Sequence, residues 1–178
     1  MSTTSLLAIP KRGEIYTVEE YRNSHLWGPL VWDKLATDYL KWQRFGMGFD
    51  LQPVWNLYKA PPSVFDNRLR LALMATFDWA VCERKDLLAL ADGLEYFHKR
   101  YPAEQVEYSS HCLRMAFDIR KLAKKNIFGI CWQGTSTCED FWYLDKEERM
   151  AKLSDIRAGR FDRLFIFSPD KKYWEGEE

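Results

Sequence analysis

An α+β fold is predicted, with a mainly helical body of four to five helices followed by a small antiparallel sheet near the C-terminus. Three observations point there. Apolar residues recur at three- and four-residue steps between Val31 and Ala123, the spacing of helices with one buried face. From Ile127 that spacing gives way to dense β-branched and aromatic runs. The chain has 178 residues, 47% of them hydrophobic, which suits one domain. A chain of that size buries roughly 70% of its unfolded surface and needs no covalent staples. The expected organisation is a single domain, 1–178, with a helical part at about 17–126 and a small α/β part at about 127–170.

Residues 1–16 read as an arm or first strand ending in Lys11-Arg12-Gly13. Thr17 with Glu20 three residues on has the reciprocal capping pattern, so a helix is expected to open there and break at Gly28-Pro29. Proline suits the first turn of the next helix, whose apolar face is Val31, Leu35, Tyr39, Trp42 and Phe45. Gly46 to Pro62 is a breaker-rich linker. Ser63 and Asp66 suggest the start of a helix running to about Arg84, with an all-apolar middle, Leu71 to Phe77, that marks it as central. Asp86 is positioned to cap a helix with Leu87, Leu90, Leu94, Phe97 and Tyr101 inward. The following helix ends near Lys125 and buries Val106, Cys112 or Leu113, Ala116, Ile119 and Ala123, and Asn126 suits its left-handed close. A strand is expected at Ile127–Trp132, a turn at Gln133–Cys138 and a second strand at Phe141–Leu144. Glu147–Ala158 reads as a short helix with Met150, Leu153 and Ile156 inward, and Leu164–Phe167 as a last strand.

The 26 basic and 26 acidic side chains balance to zero, which argues against holding nucleic acid by bulk charge and leaves self-association open. The apolar run Leu6–Ile9 is too short for the core of a secretory signal, and no stretch approaches the ~18 apolar residues of a membrane span. Cys82, Cys112, Cys131 and Cys138 form no C-x-x-C pair, and His25, His98 and His111 are dispersed. A cytoplasmic protein with reduced cysteines, no metal and no cofactor is expected. Phosphate-cradling glycine motifs are missing from the sequence as well.

Four features are candidate sites. Arg114, Arg120, Lys121, Lys124 and Lys125 make a basic helix within 111–125, suited to an acidic protein or a phosphate backbone. Its bland reading is a solvated helix face, or one paired internally with the acidic run Glu139, Asp140, Asp145, Glu147 and Glu148. Asp78 stands in the most apolar helix, as a proton-transfer group or as an acceptor for a buried Trp or Tyr. Gly134-Thr135-Ser136-Thr137, with Arg12 upstream and Glu147 or Glu148 downstream, resembles the order of residues in ADP-ribosyltransferases. The spacing is too short for the sheet of that fold, and a hydroxyl-rich hairpin turn accounts for the run without chemistry.

The fourth feature is the aromatic content of 16%, with eight Trp, nine Tyr and eleven Phe. Most fall on helix faces and strands. Phe49, Trp55 and Tyr58 in the proline-rich linker, and Tyr173 and Trp174 in the tail, do not. Trp and Tyr dominate binding hot spots, and only Lys59 supplies charge beside Trp55 and Tyr58. The expected function is therefore a non-enzymatic protein-binding module acting as inhibitor, adaptor or subunit contact. Proteins that phages and mobile elements use against host defence machinery belong to this class. The alternatives are nucleic-acid binding through the basic helix, and an enzyme built on Asp78, His98, His111 or Thr135–Thr137.

Overall fold

A computed structural model of the chain describes residues 3–22, 27–42, 50–78, 80–102, 106–134, 145–158, 166–167 and 172. The fold is α+β. Its sheet has the order β2-β1-β4-β3-β5, from strands β1 (Thr3–Pro10), β2 (Tyr16–Arg22), β3 (Val81–Glu83), β4 (Ile127–Gly134) and β5 (Ile166–Phe167). The first four strands pair antiparallel, and the two-residue β5 joins β3 in parallel.

This corrects the expected arrangement, in which the sheet followed the helices. Two of its strands precede every helix, and β3 lies in the middle of the chain. The apolar run Leu6–Ile9 explains why: β1 is an inner strand, flanked by β2 and β4, and Ser5 to Ile9 are all buried. Alternate side chains serve opposite faces of a strand. Leu6 and Ala8 belong to the large core under the helices, whereas Leu7 and Ile9 pack with Leu153 and Ile156 on the other side. The sheet is thus covered on both faces.

Among the described residues the helices are α1 (Trp27–Leu40), α2 (Gln52–Trp55), α3 (Asn67–Met74), α4 (Leu87–Arg100), α5 (Val106–Ala123) and α6 (Lys146–Arg157). No helix opens at Thr17. Tyr16–Arg22 is a strand because its backbone pairs with β1 and Tyr21 buries its ring. α3 begins at Asn67, where the Asp66 carboxylate accepts from the Arg68 N–H, rather than at Ser63. It ends at Met74 instead of Arg84, since Val81–Glu83 is drawn into the sheet. The apolar middle of that segment is correctly central: Leu69 to Ala75 are buried throughout.

α4 packs on α5 with Leu87, Leu90, Leu94 and Phe97 buried, although the Asp86 side chain makes no capping bond. On α5 the buried residue is Cys112, and Leu113 is exposed. β4 extends through Gln133 and Gly134, where a turn was expected. Gly129 faces Glu83 across β3–β4, and a Cβ there would sit 2.4 Å from the Cys82 carbonyl oxygen. Only glycine permits that approach. On the other face, α6 opens with an Asp145–Glu148 capping box, and its Arg157 donates to the carbonyls of Pro10 and Gly13. The expected strand Phe141–Leu144 lies outside the described residues.

Candidate functional site

A cavity of about 300 Å³ is lined, among the described residues, by Trp32, Trp55, Tyr58, Thr76, Phe77 and Asp78. Three segments of the chain build it. α1 contributes Trp32 from the side of the helix next to its buried residues Val31, Leu35 and Ala36. The indole N–H of Trp32 donates to Thr76 Oγ1 at 2.9 Å, and Thr76 Oγ1 donates to the Leu73 carbonyl at 2.6 Å. Trp32 is therefore fixed by Thr76, two residues past the end of α3. α1 is tied down further along, where Asp38 accepts from Arg100 at 2.8 Å and from the Tyr101 hydroxyl at 2.6 Å.

The second segment is the linker. Pro53 sits in the first turn of α2, as suits a residue with no N–H to give. A 3₁₀ turn follows at Asn56–Lys59. Val54 and Leu57 are buried and anchor the pair of turns, which places Trp55 and Tyr58 against Trp32 and Phe77. The buried Arg70 guanidinium donates to the carbonyls of Ala60, at 2.5 Å, and Phe65, at 3.3 Å, and so holds the return of the linker. The third segment is the turn after α3, carrying Phe77 and Asp78.

The rings meet edge to face. Trp32 and Trp55 lie 5.7 Å apart at 71°, and Tyr58 and Phe77 lie 5.8 Å apart at 79°. All four are partly exposed. The Trp55 indole N–H is shielded from solvent and has no acceptor among the described residues. Asp78 is the acidic group of the lining. Its Oδ1 accepts from the Gly134 N–H at 2.6 Å, which couples the turn to the end of β4. Partial burial raises the Asp78 pKa above its ordinary value, and the Gly134 bond works in the other direction. Among the described residues no cation pairs with this carboxylate. Asp78 thus takes its bond from a backbone amide, where the sequence suggested a Trp or Tyr partner.

Trp55 and Tyr58 were read from the sequence as contact residues, and they do come together. Trp32, Thr76 and Phe77 were missed, because nothing in their spacing connects them to the linker. Phe49, Tyr173, Trp174 and the run Thr135–Thr137 lie outside the described residues. Among the described residues neither His98 nor His111 lines the cavity. No group of three or more metal-ligating side chains occurs among them either.

The basic helix is largely occupied by partners within the chain. Arg114 pairs with Glu19 on β2 at 2.7 Å. Arg120 reaches back to α4, to Asp92 at 2.5 Å and to Glu95. Lys121 lies 3.7 Å from Asp118 and 4.0 Å from the centroid of the exposed Phe117 ring. These pairings are with β2, α4 and α5 itself; of the acidic run that the sequence suggested as a partner, Glu139 and Asp140 lie outside the described residues. Lys124 and Lys125 are exposed. Cys82, Cys112 and Cys131 are buried free thiols, and burial pushes all three up, Cys112 to about 12.

Among the described residues no helix is long and apolar enough to cross a membrane. Comparison with protein-family models, curated proteins and solved structures finds no match for this chain.

Proposed function

We propose that the protein works by binding another protein, as an adaptor, inhibitor or subunit contact, and has no catalytic role of its own. The observation that carries this reading is the cavity walled by Trp32, Trp55, Tyr58 and Phe77. Its volume lies at the lower end of the range for small-ligand pockets, with room for one long side chain and the chain beside it. Trp and Tyr give large rigid contact area at low entropic cost, which is why they dominate hot spots. Nucleic-acid binding has less behind it. Arg114, Arg120 and Lys121 already face carboxylates, so fewer cations are left to displace counterions from a phosphate backbone.

The test is size-exclusion chromatography with light scattering on protein isolated from its source cells, for wild type and Trp55→Ala. The expected result is a complex of fixed stoichiometry that the variant loses while its circular dichroism is unchanged. A wild-type protein that runs as a strict monomer and retains no partner sinks the proposal.

A further inference from the structure

Resting on that reading, we infer that the cavity takes an alkylammonium group, the side-chain nitrogen of a lysine on the partner, and that N-methylation of the lysine tightens the fit. The argument begins from charge. Four aromatic rings and one carboxylate line the cavity, with no cation among its described lining residues. An aromatic ring carries negative potential on its faces and attracts a cation lying within about 6 Å of its centroid. Asp78 adds a full negative charge at the same place, with one oxygen engaged by the Gly134 N–H and none by a cation among the described residues.

An anionic occupant is repelled. A neutral apolar occupant fills the space but strips water from the Asp78 carboxylate without replacing it, and burying an uncompensated charge is unfavourable. A cation with an apolar sheath satisfies both the rings and the carboxylate.

Shape separates lysine from arginine. A planar guanidinium stacks best on a single flat face or between parallel ones. Within the Trp32–Trp55 and Tyr58–Phe77 pairs the ring planes cross at 71° and 79°, so neither pair offers a guanidinium two parallel faces. That suits a rounded, tetrahedral nitrogen. Methyl groups add apolar contact on every side and weaken the hydration of the cation, while its charge remains. One group of the protein itself competes: the Lys59 ammonium lies 5.6 Å from the Tyr58 centroid.

The experiment titrates the full chain with end-capped trimethyllysine and with its carbon isostere, in which a neutral quaternary carbon replaces the nitrogen. The two probes share shape and differ in charge, and tryptophan fluorescence reads both. The expected result is saturable binding of trimethyllysine about tenfold tighter than the isostere, with capped unmodified lysine between them. Asp78→Asn keeps an oxygen for the Gly134 N–H, so the turn is retained, and should lose about fivefold for the cation and nothing for the isostere. Lys59→Gln should bind the cation as well or better.

Equal binding of the two probes overturns the inference, as does a Lys59→Gln variant that loses binding. Tetramethylammonium binding as tightly as capped trimethyllysine overturns the lysine assignment in favour of a free quaternary amine. If the isostere binds equally while the complex above still depends on Trp55, the ammonium inference fails and the protein-binding reading stands. If no complex forms at all, it is the protein-binding reading that fails.

Discussion

Replacing Arg70 by methionine tests how the linker that carries Trp55 and Tyr58 is held. Arg70 is only 3% exposed, and its guanidinium donates to the carbonyls of Ala60 and Phe65. A hydrogen bond to a charged group contributes about 1.5–3 kcal/mol, so the two bonds together are worth about 3–6 kcal/mol gross. Against this stands the desolvation of a buried guanidinium, several kcal/mol, which methionine of similar volume does not incur. The net loss should be about 2 kcal/mol. For a chain of this length that is a fall in Tm of about 4–8 °C. Thermal denaturation followed by circular dichroism measures it. Hydrogen exchange locates it: the amides of Val64 and Phe65, both bonded to the Pro61 carbonyl, should lose protection before those of α4. Arg70→Lys keeps the charge but not the fork, and should recover less than half of the loss. An Arg70→Met variant as stable as wild type, with Val64 and Phe65 still protected, refutes the claim that these two bonds hold the linker.

Three further outcomes are expected. Gly129→Ala must push β3 away from β4, because the new Cβ meets the Cys82 carbonyl; a stability loss of at least about 1–3 kcal/mol in urea melts is predicted, and a neutral effect would contradict the strand register. Burial and the adjacent Asp118 hold the Tyr21 phenol in its neutral form, raising its pKa above the ordinary value near 10. Its contribution to stability is fully present below pH 10 and lost as pH rises above it, so Tyr21→Phe should flatten the alkaline fall in stability; equal slopes between pH 9 and pH 11 would count against this. In a Cys138→Ser background, Cys82, Cys112 and Cys131 should resist a thiol reagent at pH 8 in the native protein and react at once in guanidinium. Labelling at the denatured rate would show that they are not buried.

The helices were legible wherever one buried face repeated along the chain, as in α4 and the later turns of α5. β2 was not, for a specific reason. The register shifts between Leu6 and Leu7, so that Leu6 faces Glu19 while Leu7 faces Thr17, and Val18 is the extra residue. That bulge breaks the two-residue alternation by which a half-buried strand is recognised, and the Thr17–Glu20 pattern then resembled a cap. The end of α3 at Met74 carries no Gly or Pro to announce it. Pairing of Val81 and Cys82 with distant residues ends the helix, and no local pattern records that. The site was half legible. Trp55 and Tyr58 stood out because large rings occupied a segment full of breakers. Trp32 and Phe77 did not, since each falls in an apolar run that packing alone explains. The Trp32–Thr76 and Asp78–Gly134 bonds help bring these residues to one place, and both join residues more than 40 positions apart.

The position of β1 between β2 and β4 governs the order in which the protein can be assembled on the ribosome. β2 emerges directly after β1, so the Thr3–Arg22 hairpin can close early. The other edge of β1 waits for Ile127–Gly134. At about 5–20 residues per second that interval is on the order of ten seconds. Throughout it Leu6, Leu7, Ala8 and Ile9 lack β4 on that edge, and Leu7 and Ile9 also lack the Leu153 and Ile156 that later cover them. An open, apolar strand edge is where nascent chains pair with one another. Synthesis conditions that slow elongation between residues 22 and 127 should therefore lower the soluble yield of this protein, even though its finished form keeps Ser5 to Ile9 buried.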